Sequence, residues 1–346
     1  MNNKLPSTDP GLLAVHALMN RLQGKHSLIE EMPGGASTRR FFRIQRENDR
    51  AVAMYIPAPS QEIAKARQAS GGEPFIKVAS LLRKAQIRVP DTYENCEEHN
   101  ILLVEDLGEN TLAHYLEQYP DTRLELYRIA VRKLARAQDS LKDLPDNCII
   151  TQRAFDEDLL RWEVDHFYDW ALKARGIHLN EVDADVFSRS AHYLATTIAS
   201  WKRGFVHRDY QSRNLMVEKK EGNHDLVWID FQDAMMGPRA YDLVALLTDS
   251  YQTFSREFIE ERLDDYCEAL GIEDQRERLG FEFDFITVQR KLKDAGRFIF
   301  IDRINKNPHF LQYVDSTIAR AQEALSRVKN EGPLGELDAL LRRVLT

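Results

Sequence analysis

Two short polar motifs, separated by the pattern of a β-hairpin, constrain this 346-residue chain more than any other feature. Asp209 precedes Asn214 by five residues, and Asp230 follows Asp209 by 21. Apolar residues at 214–217 and 226–229 flank a polar turn that contains glycine, which is typical of two short strands joined by a turn. The sequence therefore predicts a hairpin with Asn214 at one base and Asp230 at the other.

The spacing of these three residues resembles that of the catalytic and metal-binding loops of protein kinases. Transfer of the γ-phosphoryl group of ATP needs an acceptor hydroxyl held in line with the phosphorus and a group that takes its proton. We assign that group as Asp209. Because an ordinary aspartate has a pKa of about 4, it mainly orients the hydroxyl and accepts the proton late. The oxygens of Asn214 and Asp230 are hard ligands that suit Mg²⁺ once ATP phosphates complete the site.

Two other polar residues near these motifs are interpreted as structural. For His207, packing in the core with hydrogen bonds to the backbone is favoured over proton transfer. Asp242 stands at the start of the apolar segment 243–247, where a carboxylate can cap a helix or brace the catalytic loop.

Three segments together resemble the aminoglycoside phosphotransferase superfamily. They are GGASTRRFFR at 34–43, HRDYQSRNLM at 207–216 and IDFQDAMMGPRAYDLVALL at 229–247. Within the superfamily the chain is most similar to the anomeric kinases that phosphorylate N-acetylmuramate and N-acetylglucosamine in bacterial cell-wall recycling, and QRKLKDAGRF at 289–298 shares this similarity. The resemblance spans roughly residues 30–320. Gln211 departs from it, because these kinases tend to have histidine there, which affects the expected acceptor contacts.

The resemblance implies an α+β, protein-kinase-like fold with two lobes. Residues 1–106 are expected to form a small nucleotide-binding lobe with an antiparallel sheet and a helix, and residues 107–346 a large helical lobe for catalysis and acceptor binding. Hydrophobic periodicity predicts strands at 27–31, 40–46, 51–56 and 101–105, and helices at 11–24, 73–86, 111–118, 122–142, 155–174, 183–203, 239–253, 255–270, 274–303 and 309–329.

Nucleotide binding is assigned to three places. The turn with Gly35, Ser37 and Thr38 suits a phosphate loop, since small residues let backbone N–H groups approach phosphates, although such a turn alone is more often an ordinary hairpin.

The second place concerns the positive charge that meets the phosphates. The strand at 51–56 lacks the basic residue that kinase-like folds usually place there. Either metal and backbone meet the phosphate charge, or an arginine among Arg39, Arg40 and Arg43 reaches the phosphates.

The third place is a hinge after the apolar strand 101–105. The kinase resemblance implies that backbone groups of Glu105 and Leu107 bind adenine and that Met216 packs on its face. The alternative is a buried strand that simply leaves the core.

Acceptor binding is assigned to Asp209, Asp233, Arg290 and Lys293 on the basis of the subgroup resemblance. The basic pair would suit an acidic acceptor such as N-acetylmuramate, whose lactyl carboxylate pairs well with guanidinium or ammonium groups. Trp162 and Trp170 share helical spacing with apolar neighbours, which favours packing in the core.

Composition limits the class of partner. The chain carries 47 Lys and Arg against 55 Asp and Glu, a net charge of −8, so nucleic acid is not expected as a partner. Three scattered cysteines without CxxC spacing argue against zinc and against a disulfide framework. The N-terminus lacks a signal-peptide pattern, and no segment reaches 18 apolar residues. A cytoplasmic protein with no membrane partner is expected.

These observations predict an ATP- and Mg²⁺-dependent kinase that phosphorylates the anomeric hydroxyl of an amino sugar. That hydroxyl is more acidic than an ordinary alcohol, which suits a weakly basic aspartate. Two alternatives remain: a phosphotransferase for another small alcohol, such as an aminoglycoside or choline, and a nucleotide-binding regulator without turnover.

Overall fold

The computed structural model describes residues 9–22, 25–33, 39–57 and 72–345. The chain divides into two compact units. The first contains the described residues up to Asn110 together with Val227–Asp233, and the second contains Thr111–Leu226 and Ala234 onwards. The chain therefore returns to the first unit for one short segment, which carries Asp230.

A five-stranded antiparallel sheet is the centre of the first unit. Its strands are β1 Ser27–Glu31, β2 Arg40–Gln45, β3 Arg50–Tyr55, β4 Thr92–Cys96 and β5 Ile101–Glu105, in the order β1-β2-β3-β5-β4. The unit also has helices α1 Pro10–Arg21 and α2 Glu73–Lys84. Asp9 caps α1 by accepting a hydrogen bond from the Leu12 N–H (2.9 Å), and Pro10 occupies the first turn, where a missing N–H has no cost.

Helix α1 covers one face of this sheet. Residues of β2, β3, β4 and β5 that alternate along each strand point to that face, and they are buried against Ala14, Val15 and Leu18. The sheet residues of this cluster are Phe42, Ile44, Ala51, Ala53, Cys96, Ile101 and Leu103. Burial of this apolar face fixes the register of the strands, because a shift of one residue would expose it.

The second unit is mostly helical. Its helices are α3 Leu112–Gln118, α4 Arg123–Ser140, α5 Glu157–His166, α6 Glu181–Ser200, α7 Tyr241–Leu247, α8 Arg256–Leu270, α9 Arg276–Asn305, α10 Val314–Val328 and α11 Leu334–Val344. The 30-residue helix α9 packs against α5, α7 and α10 and is buried along much of its length. Within the described ranges, no helix has both the length and the apolar character needed to cross a membrane.

Four short strands accompany these helices. Strands β6 Arg203–Val206 and β9 Met235–Pro238 pair with each other, and β7 Leu215–Lys220 pairs with β8 Asn223–Trp228. Glu221 and Gly222 join β7 to β8, both with positive φ (52° and 85°), a backbone suited to a tight hairpin turn. The predicted hairpin is therefore present, with Asn214 directly before β7 and Asp230 two residues after β8.

The predicted helix at 155–174 differs from the observed structure. Helix α5 ends at His166 and continues as a π-helical segment, Phe167–Leu172. At this point α9 comes so close that a Cβ atom on Gly296 would lie 2.4 Å from the His166 carbonyl oxygen. Only glycine leaves room for this crossing, so the two segments depend on each other.

Candidate active site

The predicted catalytic loop, residues 207–214, lies in the second unit between β6 and β7. The side chain of Asp209 is 34% exposed, whereas His207 is completely buried. The Asn214 side-chain amide donates a hydrogen bond to the Asp209 carbonyl oxygen at 2.8 Å. This bond holds the Asn214 amide group in one orientation relative to the loop.

Two buried aspartates hold the two ends of the loop. Asp242 accepts hydrogen bonds from the backbone N–H groups of His207 (2.6 Å) and Arg208 (2.9 Å). Burial raises the pKa of Asp242 to about 7, although these two N–H donors lower it. Helix α7 has no side-chain capping hydrogen bond, so the hydrogen bonds of Asp242 hold the loop and do not cap the helix.

Asp249 holds the other end of the loop, at Ser212, by hydrogen bonds. Its Oδ2 accepts from the Ser212 N–H (2.8 Å) and the Ser212 hydroxyl (2.5 Å), while its Oδ1 accepts from the Tyr251 N–H (3.1 Å). The sequence analysis missed this residue. The available signal was an acidic residue seven positions after Asp242, at the end of the same apolar segment.

The backbone of the loop is unusual at Arg208, where φ is 81°. A left-handed conformation at a residue with a side chain costs on the order of 1–3 kcal/mol and persists only when the surroundings enforce it. The Asp242 hydrogen bonds act on this segment, and the hydroxyl of buried Tyr210 donates to the Ala130 carbonyl at 2.9 Å. The loop is therefore fixed to α4 as well as to α7.

Arg290 of α9 is a third support of the loop. Its side chain is fully buried, its Nη1 donates to the Arg208 carbonyl oxygen (3.0 Å), and its Nη2 lies 3.6 Å from Asp209 Oδ1. The guanidinium also lies over the Tyr241 ring, 4.8 Å from its centroid. This corrects the acceptor-binding role predicted for Arg290, because the side chain faces the backbone of the loop and is enclosed by protein.

Lys293, the other half of the predicted basic pair, has a different environment. Its side chain remains 18% exposed, and its Nζ lies 3.1 Å from Asp294 Oδ1. Asp294 Oδ2 also lies 2.9 Å from Lys291 Nζ and 3.9 Å from Arg290 Nε. Three cations of α9 therefore share one carboxylate.

Glu163 of α5 is a further support of the loop. It is buried, accepts a hydrogen bond from Gln289 Nε2 (3.0 Å) and from the Tyr241 hydroxyl (3.5 Å), and lies 3.7 Å from Arg208 Nη2. The negative charge of Glu163 and the positive charge of Arg208 balance each other in a site from which water is largely excluded.

In the first unit, Asp230 and Asp233 are joined by Arg39. The guanidinium of Arg39 lies 3.1 Å from Asp230 Oδ1 and 3.0 Å from Asp233 Oδ2. Gln232 donates to both carboxylates, at 2.8 and 3.1 Å. Asp230 has a φ of 60° and a side chain that is 38% exposed, whereas the side chain of Asp233 is 5% exposed.

The chemistry of Asp230 suits a magnesium ligand, because carboxylate oxygens are the ligands that Mg²⁺ prefers. In this structure the guanidinium of Arg39 pairs with the carboxylates of Asp230 and Asp233. Of the two, Asp230 is the more accessible. Asp233, predicted to bind the acceptor, is instead almost enclosed and paired with Arg39.

The structure separates the three arginines considered for the nucleotide phosphates. Arg40 of β2 pairs with Asp9 and Glu31, both at 2.7 Å. Arg43, which was predicted to bind nucleotide, is buried and lies 2.8 Å from the carboxylate of Asp106. Among these three, Arg39 is the one that contacts the Asp230 motif.

The other predicted nucleotide-binding residues are spread over the chain. Gly35, Ser37 and Thr38 lie outside the described residues. Glu105 ends β5, and its backbone N–H donates to the Asp91 carbonyl (2.9 Å), while Leu107 follows in a half-buried loop. Met216 is a buried residue of β7 in the second unit, bridged to Thr111.

Comparison with known sequences identifies the class of protein. The sequence model of the phosphotransferase enzyme family (APH) matches residues 29–281, and the chain belongs to this family.

Two curated relatives extend the match to most of the chain. An N-acetylmuramate/N-acetylglucosamine kinase of Pseudomonas aeruginosa is 32% identical over 314 residues, which cover 88% of this chain and 86% of the relative. A protein of the same name from Pseudomonas putida is 30% identical over 313 residues, or 89% of this chain and 86% of the relative.

Solved structures share the fold at low sequence identity. An ADP-bound aminoglycoside phosphotransferase, APH(2'')-Ib, superposes with a TM-score of 0.57 at 11% identity and covers 90% of this chain and 98% of its own. The predicted α+β kinase-like fold, the family and the phosphotransferase class are confirmed.

Proposed function

We propose that this protein transfers the γ-phosphoryl group of ATP to the anomeric (C1) hydroxyl of an N-acetylated amino sugar, with N-acetylmuramate and N-acetylglucosamine as acceptors. The proposal rests on family membership and on relatives of that name at about one-third identity. ATP as donor implies that the reaction takes place in the cytoplasm.

Asp209 is the proposed proton acceptor. Its backbone and side chain belong to a loop that Asp242, Asp249 and Arg290 hold at separate points. Because the loop is fixed, the Asp209 carboxylate is already positioned to hold the sugar hydroxyl in line with the phosphorus. A weakly basic carboxylate can therefore contribute by orienting the hydroxyl. The proton moves to Asp209 as the new oxygen–phosphorus bond forms and ADP leaves.

Asn214 and Asp230 would hold the magnesium ion. Bound Mg²⁺ neutralises charge on the phosphate oxygens. The Asn214 amide is oriented by its hydrogen bond to the Asp209 carbonyl, and Asp230 keeps an accessible carboxylate beside Arg39. Arg39 is the basic residue that we assign to the phosphates, in place of the lysine that β3 lacks.

The single structural observation that favours turnover over a nucleotide-binding regulator is the restrained loop around Asp209. A regulator that only binds nucleotide has no need for a left-handed Arg208 held by buried carboxylates, because such strain is retained where geometry serves a reaction. The test is product analysis with magnesium-ATP: N-acetylmuramate and N-acetylglucosamine are expected to give sugar 1-phosphates, and choline and aminoglycosides none.

Arg290→Met is expected to lower kcat by roughly 10- to 100-fold, because small displacements of a reacting group are costly. The variant removes the hydrogen bond to the Arg208 carbonyl and the positive charge 3.6 Å from Asp209. Steady-state kinetics, with the melting temperature recorded, separate a loss of turnover from a loss of stability.

Arg290→Lys is the matched variant. It keeps the positive charge and should recover part of kcat. A wild-type kcat in Arg290→Met, with only the melting temperature lowered, would mean that the arginine acts only on folding.

A further inference from the structure

Arg39 and Gln232 both bridge the carboxylates of Asp230 and Asp233. Nη1 of Arg39 donates a hydrogen bond to Asp230 Oδ1 (3.1 Å), and Nη2 donates to Asp233 Oδ2 (3.0 Å). The Gln232 amide donates to the same two oxygens, at 2.8 and 3.1 Å. We call these four residues, all of the first unit, the Asp230 cluster. The Arg39 guanidinium therefore bonds an oxygen of the proposed metal ligand.

The two carboxylates of the cluster hold the guanidinium with different strength. The Asp233 side chain is 5% exposed, and removal of the cation from a buried carboxylate is costly. The Asp230 side chain is 38% exposed, and ion pairs that water reaches contribute little. Arg39 can therefore leave Asp230 at low cost while it stays bonded to Asp233.

The backbone at Asp230 is held from both sides. Its φ of 60° is a conformation that a residue with a side chain keeps only when its surroundings enforce it. The Trp228 N–H donates to the Arg88 carbonyl (2.9 Å), and the Phe231 ring packs against Phe75 of α2 with centroids 4.7 Å apart. A change of partners in the cluster therefore falls on the side chains, because the backbone of Asp230 is fixed.

A guanidinium on a carboxylate opposes the binding of a metal ion to the same carboxylate. Like charges a few ångströms apart repel strongly near a protein surface, and Arg39 reduces the negative charge that Asp230 offers to a divalent ion. The phosphates of ATP are a competing partner for Arg39, since guanidinium groups form paired hydrogen bonds with phosphate oxygens. The nucleotide can thus draw the guanidinium away from Asp230.

We propose that Arg39 makes metal binding at Asp230 depend on the nucleotide. This inference rests on the proposed function, which assigns Asp230 to magnesium and Arg39 to the phosphates, and it adds the regulation of that site. When no nucleotide is bound, Arg39 bonds Asp230 and opposes the metal ion. When ATP is bound, Arg39 bonds the phosphates and keeps Asp233 as its anchor. A divalent ion alone therefore binds weakly, and it binds cooperatively with ATP.

The experiment measures two affinities in the wild type and in Arg39→Met. The first is that of Mn²⁺ for the protein alone, by electron paramagnetic resonance of the unbound ion. It should rise in the variant by about tenfold, within the usual range of coupling between two sites. The second is that of the ATP analogue AMP-PNP in the presence of EDTA, by calorimetry. It should fall by about tenfold, the size expected for loss of a charged hydrogen bond.

The opposite signs of these changes separate the inference from a folding defect, which would lower both affinities. A measurement on the wild type alone is independent of how the variant folds. Mn²⁺ should bind the AMP-PNP-saturated protein at least about tenfold more tightly than the protein alone, after correction for the Mn²⁺ that AMP-PNP binds in solution. Equal affinities would overturn the inference.

Three further variants serve as controls. Arg39→Lys keeps the positive charge and should bind Mn²⁺ nearly as weakly as the wild type. Arg50→Met removes an exposed arginine from β3, outside the Asp230 cluster, and should change neither affinity. In Arg39→Met/Asp230→Asn the increase in Mn²⁺ affinity should disappear, because that increase depends on the Asp230 carboxylate.

The possible failures can be distinguished. An Mn²⁺ affinity that is unchanged or lower in Arg39→Met, an increase that persists in the double variant, or an unchanged affinity for metal-free AMP-PNP would overturn the inference. None of these measurements involves a sugar. If they gave the expected values and the wild type phosphorylated no amino sugar, the proposed acceptor would be wrong and this inference would stand. A wild type that binds neither Mn²⁺ nor AMP-PNP would overturn both.

Discussion

Asp209→Asn is expected to lower kcat by about 10²- to 10⁴-fold, the usual cost of losing a positioned proton acceptor. Asparagine has almost the same shape, and the loop remains held by Asp242 and Asp249, so the fold should be preserved. ATP and acceptor should still bind. Steady-state kinetics combined with nucleotide-binding measurements separate the loss of turnover from a loss of affinity.

Asp121→Asn is the matched control, because it removes an exposed carboxylate from the same unit. Its turnover should equal that of the wild type. If Asp209→Asn also turned over at the wild-type rate, another group would have to accept the proton, and the assignment of the catalytic loop would be wrong.

Asp230→Asn should have the second large effect. A metal ion that stabilises the transferring phosphoryl group supplies several kcal/mol, so its loss corresponds to about 100-fold or more in kcat. The amide oxygen is a weaker ligand than a carboxylate, so more magnesium should be needed for half-maximal rate. A magnesium titration of the initial rate measures both changes.

Asp91→Asn provides the comparison for this variant, since Asp91 is an exposed carboxylate of the same unit that lies outside the Asp230 cluster. It should leave the magnesium dependence unchanged. A normal rate and a normal magnesium requirement in Asp230→Asn would place the metal on other residues.

The elements that follow from local pattern were predicted well. Strands β1, β2 and β3 lie within one residue of their predicted limits, and β7 and β8 each extend three residues farther toward the turn than predicted, because alternation and turn residues determine them. Strand β4 was missed. It is an edge strand whose residues Thr92–Cys96 are mostly polar and only partly buried, so it lacks the alternation that marks a half-buried strand.

Helix limits that depend on distant contacts were not predictable. The change from α- to π-helix at His166 coincides with the close approach of Gly296, which lies 130 positions later. Helix α7 stops at Leu247 rather than continuing to 253, and Asp249 just beyond it turns to bond Ser212. Both features result from tertiary packing that overrides local helix propensity.

For the candidate site, spacing predicted the three motif residues, and the roles of their neighbours required the structure. Arg290 is 81 positions from Asp209 and Arg39 is 191 positions from Asp230, so no local pattern pairs them. From the sequence, Arg290 and Lys293 were interpreted as one acceptor-binding pair. In the structure, Arg290 is fully buried and supports the loop, whereas the side chain of Lys293 remains partly exposed.

The most direct test of the central claim is phosphorus NMR of the product formed from magnesium-ATP and N-acetylmuramate or N-acetylglucosamine, with the 1-O-methyl glycosides as blocked acceptors and Asp209→Asn as control. We expect a phosphorus signal coupled to the anomeric proton for each free sugar, and no such signal for the blocked sugars or the variant. Phosphorylation of the methyl glycosides, or a phosphate on any other hydroxyl, would contradict the assignment of an anomeric kinase.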